Sequence, residues 1–415
     1  MLPAMDAAEF ICQILPTQRP QLRIALVTET YPPEINGVAT TLGRLVGGLQ
    51  VRNHQVHLIR PRQHADDHPQ PTATANEHLQ RGSALSRFED PKMALPAKAA
   101  LTRLWTRQRP DVVQIATEGP LGWSALAAAN KLRLPVASDF HTNFHSYSSH
   151  YGFGLLRRAI IAYLRKFHSK AAVTLVPTAG IRRELLSCGY ENIEIIGRGV
   201  DTQLFHPARR DPSLRARWGV KDDETVVLYV GRLVAEKNLA LVFRTFDAMR
   251  EACPASRLVL VGDGPERATW QASRPDAIFC GIQIGAALAA HYASGDVFLF
   301  PSLTETWGNV TIEAMASGLA VVAYDCAAAE EVIRHAENGL KAPPEDEATF
   351  IAEAVSLAPD RDRQRRLGAA AAARAAQLSW DAVIDNFEQM LLRLALPPSE
   401  TADATLEWSS AARTG

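Results

Sequence analysis

Short apolar runs rich in β-branched residues alternate along this chain with stretches whose apolar positions recur every three or four residues. RIALVTE (23–29), QVHLIRP (55–61), DVVQIAT (111–117) and PVASDFH (135–141) form a first series. A second series begins at VVLYVGR (226–232) and continues through LVLVGDG (258–264), AIFCGI (277–282), VFLFPS (297–302) and AVVAYDC (320–326). Near-continuous apolar strands joined by helices describe parallel sheets covered on both faces. The restart therefore predicts an α/β chain of two tandem Rossmann-like, doubly wound domains. The join falls in IGRGVDTQLFHP (196–207), where a Gly-x-Gly turn breaks the rhythm, so the domains are placed at 1–199 and 200–378. Segment 64–92, rich in His, Asp, Pro and Gln, reads as a long surface excursion, and alanine-rich 348–378 as helical. SWDAVIDNFEQMLLRL (379–394) is an amphipathic closing helix capped by Ser379, placed at 379–396, and 397–415 reads as a disordered tail.

At 415 residues, with 47% hydrophobic and 21% charged content, the chain is long enough for two separate cores. Its five cysteines are widely spaced and form no C-x-x-C pair, which fits buried thiols in a reducing compartment. The opening MLPAMDAAEFICQILP is acidic where a secretory signal is basic, and no run approaches a membrane span, so a cytoplasmic location is expected. The net charge of −1 hides an asymmetry: residues 1–200 hold 23 Lys+Arg against 15 Asp+Glu, residues 201–415 hold 21 against 30.

In open α/β sheets, ligands bind beyond the carboxyl ends of the strands. The loop after the first strand, TETYPPEINGVATTL (28–42), is stiffened by Pro32 and Pro33. Gly37 lets a backbone approach a ligand at the start of a helix whose first amides form an anion site. The spacing is not the G-x-G-x-x-G of a dinucleotide binder, and GDGPER (262–267) has Arg267 where the last glycine belongs. VGRLVAEKN (230–238) brings Arg232 and Lys237 after the first strand of the second domain, as a clamp for a diphosphate. The D-x-D at Asp360 and Asp362 lies in an arginine-rich polar helix and reads as solvated charge, so no metal is expected.

TETWGNVTIEAMASG (304–318) sets Glu305 and Glu313 eight positions apart across a strand-to-helix junction. Glu305 stands in the loop. Glu313 lies inside the helix, about a turn beyond its start at ~1.5 Å rise per residue. Such a pair fits a ligand with hydroxyls at both ends and phosphates between, a nucleotide sugar.

Taken together, INGVAT, SDFHTNF (138–144), RGVDTQLFHP, GRLVAEKN, VGDGPE and the E-x7-E ending in EAMASG resemble a family 4 retaining glycosyltransferase of the glycosyltransferase B fold. HTNFHSYSSHYG and TETWGNVTIEAMASG are similar to its bacterial GDP-mannose-dependent, mannosyltransferase-like branch that glycosylates lipids. The resemblance implies that Gly37, Arg232 and Lys237 hold the diphosphate and Glu313 the ribose. Glu305 and the amides around Trp307, Gly308, Asn309 and Val310 would orient the donor sugar. His141 would stand beside the reacting sugar, and the closing helix would cross back to the first domain. It implies front-face substitution, with a leaving phosphate oxygen accepting the acceptor's proton. Two features depart from the family pattern: Trp307 replaces the commoner Phe, and DCAAAEEV (325–332) lacks paired glycines, which leaves Glu330 unassigned.

The leading expectation is a monomeric enzyme, without cofactor or nucleic-acid partner, moving a hexose, mannose or glucose, from a nucleotide sugar to a lipid acceptor. Transfer to a soluble sugar or phosphosugar, and a non-catalytic nucleotide-sugar-binding module, stand as alternatives. YGFGLLRRAIIAYLRKFHSKAA (151–172) interleaves Leu155, Leu156, Ile160, Ile161, Leu164 and Phe167 with Arg157, Arg158, Arg165 and Lys166. With the basic first half, it points to a protein peripheral to the anionic inner face of the cytoplasmic membrane; the alternative is an ordinary core helix whose apolar positions pack on the sheet and whose cations are solvated.

Overall fold

The computed structural model describes residues 20–396, except 35, 64–66, 70–74, 84–92, 142–153 and 222–223. Two all-parallel sheets dominate it. The first runs β3-β2-β1-β6-β7-β8-β9, with β1 Arg23–Val27, β2 Gln55–Pro61, β3 Ala75–Gln80, β6 Val112–Ile115, β7 Val136–Asp139, β8 Val173–Val176 and β9 Ile193–Ile195. The small pair β4 Gly82–Ser83 and β5 Met93–Ala94 stands apart and is antiparallel. The second sheet runs β12-β11-β10-β13-β14-β15, with β10 Val226–Val230, β11 Arg257–Val261, β12 Ile278–Phe279, β13 Val297–Phe300, β14 Ala320–Tyr324 and β15 Leu340–Ala342. In both, the winding reverses beside the first strand, between β1 and β6 and between β10 and β13. A crevice opens at such a reversal, because the loops on its two sides leave for opposite faces.

The interior strands are buried along their whole length, which is why their sequences read as unbroken apolar runs. Three elements of the first sheet depart from the sequence expectation. Within the segment expected to be a surface excursion, Ala75–Gln80 pairs in parallel with β2 from Val56↔Ala75 to Pro61↔Gln80. ANEHLQ is an edge strand, and an edge needs no apolar alternation, so its polarity disguised it. β8 follows the basic helix directly, and the three-residue β9 follows the short Ala179–Ser187 helix, so neither stands out as a separate run in the sequence.

The helix Gly154–His168 buries Leu164 and Phe167 in the first domain, with Ile160 and Ile161 half-buried against them. Those apolar positions pack on the sheet instead of facing a lipid layer, while Arg165 and Lys166 are exposed. The side chains of Leu155, Leu156, Arg157 and Arg158 lie outside the described set, as do residues 142–153 and 397–415. No helix among the described residues is long and apolar enough to cross a membrane.

The helix Trp380–Ala395, with Ser379 Oγ accepting from Ala382 N at 3.2 Å, leaves the second domain and packs on the first. Ile384, Phe387, Met390 and Leu391 join Leu42, Leu45 and Leu49 of the Gly37–Val51 helix in one core. Gly48 permits the approach, since a Cβ there would overlap Ile384. Beneath this seam, Leu22 N donates to His54 Nδ1 (3.1 Å), so the ring proton sits on Nε2 and donates to buried Glu388 (2.9 Å). The chain's two crossings between domains lie side by side: Val200 N donates to Leu378 O (2.9 Å), and a Cβ at Gly199 would meet the Trp380 backbone.

Candidate active site

The loops at the two reversals face each other. On the first-domain side, Asn36 caps the Gly37–Val51 helix by accepting from Ala39 N (2.8 Å), and its own amide donates to Thr30 Oγ1 (2.7 Å). Gly37 is exposed, and a Cβ there would stand 3.7 Å from Asn309 Nδ2 of the other domain. The expected anion-binding helix start therefore lies against the expected sugar-binding loop.

On the second-domain side, Lys237 follows β10 and Glu305 follows β13. Sixty-eight residues apart, they form an ion pair, and Ser302 Oγ donates to the same Glu305 oxygen at 3.0 Å. Lys237 is only 8% exposed. An ammonium has three donors, so one pairing leaves capacity for a further anion. Arg232 is placed differently: its guanidinium pairs with Glu236, four residues on, and its side chain is 69% exposed. The two cations expected to share one diphosphate thus start from different partners, Lys237 fixed and Arg232 at the rim.

Gly308 adopts the left-handed region (φ 85°) as the residue before the Asn309–Ala316 helix. A side chain is disfavoured in that conformation, and the kink presents the first amides, Asn309 and Val310, to the cleft. Trp307 is buried, with its Nε1 unpaired and its ring tip 4.0 Å from where a Cβ of Gly197 would be. Glu305, Ser302, Trp307, Thr311 and Cys326 line one small cavity beneath this turn. Burial, with the Glu305 carboxylate next in effect, pushes the Cys326 thiol up to about 11, so it stays protonated at neutral pH. Glu313, within the helix, accepts from the Tyr292 hydroxyl at 2.9 Å. Burial raises the Glu313 carboxyl to about 7 and the hydrogen bond opposes that rise.

His141 stands just past β7 with its Nε2 buried, unbonded and 3.6 Å from Asp139 Oδ2. Asp139 is held from the other side by Gln114 Nε2 (2.7 Å). Half-buried Arg198, from the domain link, also faces it: burial pulls the guanidinium below its ordinary pKa and Asp139 counters that effect. Asp139, Gln114, Arg198, Ser302, Tyr292 and Asn36 were not singled out from sequence. For Asp139 and Arg198 a signal existed, in SDFH and RGVD. For Gln114 and Tyr292, inside apolar runs, there was none.

Glu330, unassigned from sequence, meets Arg183 of the first domain, and the neighbouring Glu331 accepts from Ala179 N at 2.6 Å. Both carboxylates reach across the cleft to the start of the Ala179–Ser187 helix. Of the two acids of the D-x-D, Asp360 caps its helix by accepting from Arg363 N and Asp362 pairs with Arg365.

The family model "Glycosyltransferase Family 4" matches residues 35–204, and "Glycosyl transferases group 1" matches 224–360. A GDP-mannose-dependent alpha-mannosyltransferase of Mycobacterium tuberculosis is 34% identical over 375 residues, covering 88% of this chain and 95% of that protein. An alpha-monoglucosyldiacylglycerol synthase of Acholeplasma laidlawii is 27% identical, covering 77% and 84%. Among solved structures, sucrose-phosphate synthase from Thermosynechococcus elongatus superposes with a TM-score of 0.76 at 20% identity, covering 90% of this chain and 99% of that one. Two parallel-sheet domains facing across a cleft, and relatives of this extent, make the chain a member of the glycosyltransferase family that holds these mannosyltransferases, with the glycosyltransferase B fold.

Proposed function

We propose that the chain transfers a hexosyl group, mannose or glucose, from a nucleoside diphosphate sugar to a lipid acceptor, with retention of anomeric configuration and without a metal ion. The observation that carries this reading is the Lys237–Glu305 pair beneath the Asn309–Ala316 helix start, directly opposite Gly37. A diphosphate seated there meets a buried ammonium and two helix starts, and Arg232 swings in from the rim. Negative charge grows on the leaving diphosphate as the glycosidic bond breaks, so preorganised donors at that point lower the barrier. Glu305, its charge already tied to Lys237 and Ser302, accepts hydroxyl donors of the sugar. His141, backed by Asp139, hydrogen-bonds at the reacting end. The names of the mannosyltransferase and the diacylglycerol-linked synthase support the hexose and the lipid.

The direct test is a screen of GDP-mannose, UDP-glucose, UDP-galactose and UDP-glucuronate with lipid vesicles, followed by the one-bond C1–H1 coupling at the anomeric centre of the product sugar in NMR. An α-configured product from an α-configured donor is expected. A β product would overturn the front-face reading.

One observation favours a soluble acceptor instead: Leu164 and Phe167 of the Gly154–His168 helix are buried in the core, so those two apolar side chains are not available to a membrane. Flotation separates the two readings. Binding to vesicles containing phosphatidylglycerol should release in high salt and fall when Arg157, Arg158, Arg165 and Lys166 become Ser, each cation near the surface being worth about 1 kcal/mol. Flotation indifferent to lipid charge and to those substitutions selects the soluble acceptor.

A further inference from the structure

Tyr292 lies in the Gly285–Ala293 helix, fully buried, and takes no part in the chemistry described so far. Its ring is fixed by aromatic neighbours from separate segments: Phe205, edge-on at 5.6 Å, comes from the domain link, and Phe298, at 6.0 Å, from β13. That packing sets the direction of its hydroxyl, which ends 2.9 Å from Glu313 Oε2. We propose that Tyr292 is a positioning residue for nucleotide binding: it anchors one oxygen of Glu313, fixing the carboxylate's orientation and favouring its ionised form, so that the other oxygen meets the donor's ribose hydroxyls. The inference rests on the reading of Glu313 as the ribose acceptor.

The surroundings isolate this pair. His291, next to Tyr292, turns its Nδ1 to Ala287 O. From the Ala327–Val332 helix, Glu330 and Glu331 reach to the first domain. From the Arg361–Ala375 helix, Arg361 pairs with Asp296, Arg365 with Asp362, and Arg374 donates to Gln377. Burial and the Tyr292 hydroxyl thus set the charge of Glu313, and they act in opposite directions. A phenol hydrogen bond donated to a carboxylate favours the ionised form. The ionised form is acceptor-only, the state suited to two ribose hydroxyl donors.

The experiment is calorimetric affinity for GDP and for UDP between pH 6 and 9, with wild type, Tyr292→Phe and Glu313→Gln. Phosphate ionisation near pH 6 contributes to every curve, and Glu313→Gln supplies the baseline that holds it. Above that baseline, wild-type affinity should rise through about pH 7. Tyr292→Phe, which keeps the ring and loses only the hydroxyl, should move that rise up by about one pH unit. By linkage, the variant loses roughly fivefold in affinity at pH 7 through ionisation, and that part of the loss recovers by pH 9 while the part due to orientation stays. Recovery at high pH is something a merely structural residue does not produce. A loss equal at every pH, or no change, overturns the inference while leaving Glu313 in place. If Glu313→Gln binds both nucleotides as wild type does, the ribose reading itself fails and takes the inference with it. Should Tyr292→Phe prove unstable without ligand, the carboxyl titration of Glu313 followed by carbon NMR in wild type decides alone: a titration of Glu313 that leaves the Tyr292 ring signals unmoved is the contrary result.

Discussion

Lys237→Ala should lower turnover by roughly 10²–10³-fold, on the scale of losing one preorganised donor to a developing oxyanion. Two effects combine. The variant removes the buried ammonium from the leaving diphosphate, and it takes that positive charge away from Glu305, a carboxylate that then faces an anion. Lys237→Arg keeps the charge but not the compact shape, and should recover only part of the loss. Arg232→Ala, at the exposed rim, should cost about a hundredfold by the same electrostatic account. All variants are compared by single-turnover kinetics with saturating donor, and wild-type activity should survive EDTA. Abolition by EDTA with recovery in manganese would remove the leaving-group role from these side chains.

Glu388→Ala should destabilise the seam between the closing helix and the first domain. Its carboxylate is fully buried, accepts from His54 Nε2 at 2.9 Å and lies 3.6 Å from Arg52 Nη1. Removing it leaves the buried His54 Nε2–H without its acceptor, while Arg52 keeps its pairing with Asp385, at a cost of about 1–3 kcal/mol. In a domain of this size, that is a fall of ~2–12 °C in thermal midpoint, read by tryptophan fluorescence. Glu388→Gln, which still accepts from His54 but no longer balances Arg52, should lose distinctly less. Equal midpoints for wild type and Glu388→Ala would mean that the seam contributes nothing to stability.

What the chain disclosed in advance follows from the range of the interactions involved. Interior parallel strands are buried on both faces, so β1, β2, β6, β7, β10, β11, β13 and β14 announced themselves by composition alone, whereas interior β8, equally buried, was masked by the basic helix just before it. Edge strand β3 did not, because half of it faces solvent. The start of the Asn309–Ala316 helix was legible within one residue, since Gly308 carries a local backbone requirement. The pairing of Lys237 with Glu305 was not, nor that of Tyr292 with Glu313, because a contact between distant segments leaves no periodicity in either one. Arg232 shows the converse difficulty. Its neighbour Glu236, at helical spacing, was in plain view, and the local ion pair competes with the ligand-binding role the motif implied.

The packing of Ile384, Phe387, Met390 and Leu391 into the first domain also bears on the order in which this protein acquires its structure. Read by chain connectivity, the second domain is an insertion within the first. A ribosome adds ~5–20 residues per second, so roughly 10–40 s separate synthesis of residue 199 from that of Ile384. Throughout that interval, the first sheet and the Gly37–Val51 helix present Leu42, Leu45 and Leu49 without the helix that covers them, while the second domain gains its last strand at Leu340–Ala342 and the last of its core at Ala375, before Ile384 is made. Nascent chains should therefore become protease-resistant in the later-made half first, and the half made earliest should complete its core last.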